Sequence, residues 1–295
     1  MKKILTTFAL LTVLAGCSKQ KFYEVPTMPG TDEPIENPTR LTVNTDTEAS
    51  LTSGLTVYLL SEDGNQLKAT FSPNTAVDVE AGKYLILKVN TPFENATLTG
   101  TKLKLATAST RGTEGTVDSA PDVHAAHALV TLKANEEHTY TLKPEAYTRL
   151  VKFNLELQGI TADALASVSY SLTNVNNVSD LSKYFCADCG SGNCTLTGLF
   201  PTPSTQSDGT LTTQAEARLL GLDYSGEPQL TVTATLTDGS TQSLTESVGK
   251  LLQGFYTQAE DEPVGLNILL SFGLDDVSGS ISGWEDGWNE DVQGW

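Results

Sequence analysis

Apolar and polar residues alternate along most of the chain after residue 38. "RLTVNTD" (40–46) and "GLTVYLL" (54–60) place apolar side chains at every second position, the period of a strand with one buried face. "SEDGNQ" (61–66) follows with Asp63-Gly64, a tight hairpin signal. "AVDVEAGKYLILKVN" (76–90) reads as two strands joined at Ala81-Gly82, and "ATLTGTKLKLAT" (96–107) and "HALVTLKANEEHTYTL" (127–142) continue in period two. Between these last two, the Gly- and Ser-rich "ASTRGTEGTVDSAPD" (108–122) is expected to be a long exposed loop. A second series begins near Tyr147: "TRLVKFNLELQG", "ALASVSYSLTNV", "TLTTQAEARLLGL", "PQLTVTATLTDGSTQSLTES" and "VGLNILLSFGL", with Asp238-Gly239 as another tight turn and "GSISGW" as the last strand candidate.

Short alternating runs separated by turn signals, with no sustained helical period, predict an all-β chain of tandem antiparallel β-sandwiches. The composition agrees, being rich in Thr, Ser, Val, Leu and Gly and thin in helix formers. The boundaries place an N-terminal sandwich at 39–145, a C-terminal sandwich at 146–283 and an acidic, tryptophan-bearing tail at 284–295.

The start of the chain carries a different pattern. Lys2 and Lys3 precede "ILTTFALLTVL", an apolar run too short to span a bilayer comfortably, and the run ends in Leu14, Ala15, Gly16 and Cys17. This is a lipobox. It predicts a signal peptide over 1–16 and acylation of the thiol and amino group of Cys17. Several acyl chains at about 0.8 kcal/mol per buried CH₂ hold a protein stably on a membrane without crossing it. Residues 17–38 hold four prolines and no apolar period, so they read as a lipidated linker lifting the folded part off the lipid.

Removing residues 1–16 takes two lysines, so 279 residues remain with 16 basic against 36 acidic side chains, a formal net charge of −20. That argues against nucleic acid and against adhesion to anionic lipid, which both need basic patches.

Candidate chemistry is sparse. Cys186, Cys189 and Cys194 lie together in "CADCGSGNC". A disulfide stapling this loop is the first reading, with one thiol left over; a zinc site lacks its fourth ligand, and a redox pair lacks its βαβ context. His124 and His127 are three apart, and on a strand they point to opposite faces; His138 lies further on. These read as exposed or satisfied side chains at a strand entry. No Gly-x-Ser-x-Gly, phosphate-binding or His-Glu-x-x-His motif is present, and the carboxylate pairs such as Glu62-Asp63 read as turns. The expectation is a non-enzymatic protein with no metal and no cofactor.

The three tryptophans, Trp284, Trp288 and Trp295, all sit in the last twelve residues. Trp284 belongs with "SISG" as a strand end and reads as structural, whereas Trp288 and Trp295 lie beyond it as contact candidates. Such a tail could stack on sugar rings, plug a core, or follow a strand that pairs with an open sheet edge of another subunit. A surface glycan-binding lipoprotein using the tail tryptophans, with host or other glycan ligands, is the alternative function.

The order of these features resembles the fimbrillin-type lipoproteins of type V pili, above all their anchor or minor-subunit branch. The carriers are the lipobox, the proline-rich linker, "VDVEAGKYLILKVN", "TRLVKFNLELQGI", "LTVTATLTDGSTQSLTESVGKLLQGF" and the closing "SISGW". The resemblance implies two transthyretin-like sandwiches on an outer-membrane, surface-exposed lipoprotein whose partners are other fimbrial subunits. It implies assembly by β-strand complementation: an arginine-specific cut removes a first strand from polymerising subunits, and a neighbour's strand fills the groove. Anchor members keep their lipid. By this resemblance Cys17 is the acylated residue, and Ile281 through Trp284 match the family's last strand. Of the four arginines, Arg40, Arg111, Arg149 and Arg218, Arg40 lies just before the first strand and Arg111 in the exposed loop, and neither has a context that declares a cleavage site.

Overall fold

A computed structural model describes residues 27–30, 34–49, 51, 53–108, 115–187, 190–257, 263–273 and 277–283. The chain is all-β: among the described residues, helix is confined to short 3-10 turns. The first half supplies β1 (Pro38–Thr45), β2 (Leu55–Ser61), β3 (Leu67–Phe71), β4 (Ala76–Glu80), β5 (Gly82–Asn90), β6 (Ala96–Thr99), β7 (Lys102–Leu105), β8 (Thr107–Ala108), β9 (Thr116–Val117), β10 (His124–Leu132), β11 (Glu137–Leu142) and β12 (Glu145–Ala146). The second supplies β13 (Arg149–Gln158), β14 (Leu165–Val175), β15 (Val178–Asp180), β16 (Gly190–Ser191), β17 (Cys194–Leu199), β18 (Ser204–Thr205), β19 (Leu211–Leu219), β20 (Gln229–Leu236), β21 (Thr241–Ser247), β22 (Val264–Phe272) and β23 (Val277–Gly283).

Each half packs one sheet on another. In the first, β11-β1-β4 faces β12-β10-β5-β2-β3; in the second, β18-β19-β13-β22-β23 faces β21-β20-β14-β17-β9-β8. The two halves repeat one strand order. The opening strand (β1 or β13) runs antiparallel to one neighbour (β4 or β19) and parallel to the other (β11 or β22). The facing sheet then follows the order β3-β2-β5-β10 in one half and β17-β14-β20-β21 in the other, antiparallel throughout. Alternation makes these strands: in β13, Val151, Phe153, Leu155 and Leu157 are buried while Lys152, Asn154 and Glu156 turn outward. On β20 and β21 the outward hydroxyls pair across the strands, Thr231 with Thr245 at 2.9 Å and Thr233 with Ser243 at 2.8 Å.

β5 departs from the alternation expected of it, because both its faces are buried. Ile86 and Tyr84 enter the core of the first sandwich with Leu41, Val43, Val57 and Leu59, whereas Leu85, Leu87 and Val89 join the core of the second half. Each such side chain contributes about 1.5–3 kcal/mol when fully buried. Lys88 is also fully buried. Its stem crosses the first core, and its amino group donates to the carbonyls of Asn44 (2.9 Å) and Leu142 (2.5 Å), at the ends of the parallel strands β1 and β11. Burial lowers its pKa to about 8 against the opposing pull of Asp46.

Strands of the first half reach into the second. β6 and β7 form a hairpin whose inner strand pairs with β15, matching Leu103 with Ser179, and β9 runs parallel to β17. Leu103, Leu105, Val117 and Ala120 therefore lie buried in one cluster with Phe153, Tyr170, Leu172 and Phe200. This corrects the exposed loop expected over 108–122. Its described part is strapped down, with Ala108 of β8 opposite Thr116 of β9, Val117 and Ala120 in the core and the Ala120 amide donating to the carbonyl of Arg218 at 2.7 Å. Two apolar residues separated by polar ones carry no readable period.

Candidate assembly site

The last strand, β23, pairs antiparallel with β22 from Phe272↔Val277 to Leu266↔Gly283, with Ile281 opposite Ile268. Its sequence, "VSGSISG", explains its attachment. Ser278, Ser280 and Ser282 are exposed, and Ile281 is the buried apolar residue among its described side chains. Gly279 permits close approach: a Cβ there would overlap the Leu269 carbonyl oxygen and fall 3.0 Å from Leu244 on β21. The Ile281 amide, turned away from β22, donates to Glu246 Oε2 on β21 at 3.1 Å. β23 thus closes the gap between the edges of the two sheets of the second sandwich, held by a backbone ladder, one apolar anchor and one carboxylate.

The repeated strand order gives this arrangement a counterpart. β11 occupies in the first half the place that β22 occupies in the second, parallel to the opening strand. β22 carries β23 on its outer side; β11 carries no strand there among the described residues. β11 alternates exposed Glu137, Thr139 and Thr141 with half-buried His138, Tyr140 and Leu142, so it offers a free ladder beside a partly apolar face. Unpaired edges of this kind accept a further strand by backbone hydrogen bonding.

Arg40 lies inside β1 rather than before it. Its backbone sits opposite Glu137 and Asp78, its amide donates to the Glu136 carbonyl at 3.0 Å, and its guanidinium pairs with Asp78 at 3.5 Å. The strand opens at Pro38, two residues earlier than the apolar pattern marks, because pairing with β4, Pro38 opposite Glu80 and Thr39 opposite Val79, extends it. Glu80 on β4 accepts from the amides of Glu36 and Asn37 just ahead, so the entry to β1 is fixed.

The cysteine loop is partly described. Cys194 is buried at the start of β17, opposite Val175, and Cys186 is half-buried in the turn after Phe185; Cys189 lies outside the described residues. So do Cys17, Arg111, Trp284, Trp288 and Trp295. The histidines stay apart. His124 and His127 lie on β10, the former 3.4 Å from Asp122, and His138 lies on β11, 3.8 Å from Glu136. His127 is set against the Tyr147 hydroxyl (3.4 Å) and the Tyr184 ring (5.4 Å), and burial lowers its pKa, which keeps the ring neutral at pH 7. Tyr184, in an irregular turn, is a feature that alternation could not mark.

No family model matches the sequence, and no curated protein does. Among solved structures, the chain resembles a candidate adhesin from Bacteroides ovatus ATCC 8483, at 17% identity and a TM-score of 0.53 over 83% of this chain and 92% of that one. It also resembles a second candidate adhesin from Bacteroides ovatus, at 13% identity and a TM-score of 0.52 over 89% and 99%. Structural neighbours further include the fimbrial anchor protein Mfa2 from Porphyromonas gingivalis, at 13% identity and a TM-score of 0.48 over 84% and 98%. At these identities the likeness is one of fold.

Proposed function

We propose that this chain is an outer-membrane-anchored fimbrial subunit, of the anchor or minor class, that joins other subunits by β-strand complementation. The observation that carries the reading is the unequal closure of two halves with the same strand order. The second half covers β22 with β23, and the first leaves the equivalent edge of β11 without a strand among the described residues. β23 suits a strand that is given or exchanged, since Ile281 is the buried apolar side chain resisting its release among those described, and the rest of its hold is the backbone ladder to β22 and the bond to the Glu246 carboxylate. β11 suits a strand that receives.

Two further features support the reading. The lipobox ending in Cys17 supplies the anchor, and the proline-rich 17–38 segment supplies the spacer. The same fold occurs in candidate adhesins from Bacteroides ovatus. In this reading the protein works by presenting surfaces and edges rather than by catalysis.

The test is deletion of residues 279–295 followed by electron microscopy of the cell surface. Loss or detachment of fimbriae is the expected result, and unchanged assembly would overturn the role given to β23. A Cys17→Ser variant should leave the membrane fraction while keeping its fold.

A further inference from the structure

Two of the large apolar side chains most exposed on the described surface flank one concavity. Leu129 on β10 is 70% exposed and Tyr184, in the turn after β15, is 74% exposed. Between them lies a cleft of about 390 Å³, lined also by Glu62, Asp63, His127 and Ser182. That volume falls in the range of roughly 300–1,000 Å³ common to small-molecule sites, which favour junctions between domains.

The cleft exists because sheet β12-β10-β5-β2-β3 extends beyond its cover. Leu129 stands directly opposite Leu85 on β5, and His127 opposite Leu87, so all four share the face that packs on the second half. Leu85 and Leu87 are buried there, but at Leu129 the cover ends. The 182–184 turn of the second half makes one wall, and the β2–β3 hairpin makes the other.

Hydrogen bonds position the walls, and the lining on one side carries the carboxylates of Glu62 and Asp63. Asp63 accepts from Ser61 Oγ (2.5 Å) and from the backbone and side chain of Asn65 (3.2 and 2.8 Å), which fixes its carboxylate. These bonds, chiefly that from Ser61, hold its pKa at about 2, so it is a pure acceptor at neutral pH. Glu62 lies beside it, 3.5 Å from the Lys83 ammonium. Opposite, the Tyr147 hydroxyl donates to the Lys183 carbonyl at 2.6 Å and fixes the backbone that carries Tyr184. The Tyr184 ring leans on His127 at an interplanar angle of 57° and keeps most of its surface in solvent.

We infer that this cleft binds a neutral saccharide, with a pyranose ring lying on Tyr184 and Leu129 and its hydroxyls donating to Glu62 and Asp63. An aromatic face beside fixed carboxylates is complementary to a polyol, whose C–H face is apolar and whose edge is a row of donors. Sialylated, sulfated and uronate-containing glycans carry negative charge and would meet two carboxylates and a mature chain of net charge −20. The site is separate from β23 and β11, so binding and assembly fail independently.

The test uses the purified full chain on an array of neutral gluco-, manno- and galacto-oligosaccharides, with sialylated and sulfated glycans alongside, and calorimetric titration of any that bind. Neutral glycans are expected to bind. Tyr184→Ala should weaken them about tenfold or more, Tyr184→Phe should keep most of the affinity, and Glu62→Gln should weaken them less. Trp288→Ala with Trp295→Ala should leave binding unchanged. Because Tyr184 is exposed, Tyr184→Ala should melt at the unaltered temperature, which separates lost contact from lost fold. A blank array, binding confined to anionic glycans, or binding indifferent to Tyr184→Ala would each overturn the inference. Loss of fimbrial assembly in Tyr184→Ala without any saccharide binding would make the cleft a protein contact and overturn it as well.

Discussion

The backbone amide of Ile281 donates to Glu246 Oε2 at 3.1 Å, although the two residues belong to edge strands of opposite sheets. Charge-assisted bonds of this kind contribute about 1.5–3 kcal/mol. Glu246→Ala should therefore loosen β23 selectively. Hydrogen exchange at 277–283 is expected to quicken by about tenfold or more, while the strands around Phe153 and Tyr170 keep their protection. Uniform protection across both regions would show that the ladder to β22 alone holds the strand.

Gly279 tests the same strand from its other side. A methyl group there would run into the Leu269 carbonyl oxygen, a backbone atom that cannot swing away. Gly279→Ala should cost about 1–3 kcal/mol locally and shift or release β23. Ser280→Ala, on an exposed neighbour, should be close to neutral. Thermal melting and exchange of the two variants side by side check this, and equal behaviour would count against the packed register of the last strand.

Much of this fold was legible along the chain, and what was not shares a cause. β13, β20 and β21 follow their alternation, and the turns at Asp63-Gly64 and Asp238-Gly239 place glycine at φ +73° and +87° as hairpins require. The pairing of Leu103 with Ser179 and of Val117 with Leu196 links residues more than seventy positions apart, and no local pattern encodes it. The same holds for Lys88, which reads as an outward-facing lysine until β1 and β11 bring two carbonyls to its amino group. "SISG" marked the last strand, but the edge of β11 becomes its counterpart only once the repeated strand order is seen. The Tyr184 cleft needs four segments to meet, and its aromatic sits in a turn without a period.

Lys88 makes a prediction in pH. Its pKa falls from the ordinary lysine value of 10.5 to about 8 in the folded chain, chiefly through burial. Between these values the unfolded chain binds more protons at this site than the folded one, so the site's contribution to stability rises with pH from about 8 to 10.5. Below about 8 the charged amine keeps its full desolvation cost. Chemical denaturation of the unaltered chain and of Lys88→Met across this window should differ in slope, the variant lacking the rise that this amine supplies. Methionine preserves the buried stem but leaves the carbonyls of Asn44 and Leu142 without this donor, so the parallel ends of β1 and β11 should also exchange faster. Identical slopes would mean that the amine is solvated in the folded state.

The shared core predicts how the halves unfold. Leu103 comes from the first half but is fully buried among Phe153, Tyr170 and Leu172 of the second, and β7 pairs directly with β15. Breaking either half exposes apolar surface of the other, so thermal unfolding should be one cooperative transition rather than two. Leu103→Ala removes a buried side chain from that cluster and should cost about 2–5 kcal/mol. If the halves are coupled, the loss appears as a single melt displaced to lower temperature. If they are independent, calorimetry of the variant resolves two peaks, with only the second half's displaced, and the coupling drawn from the cross-half strands fails.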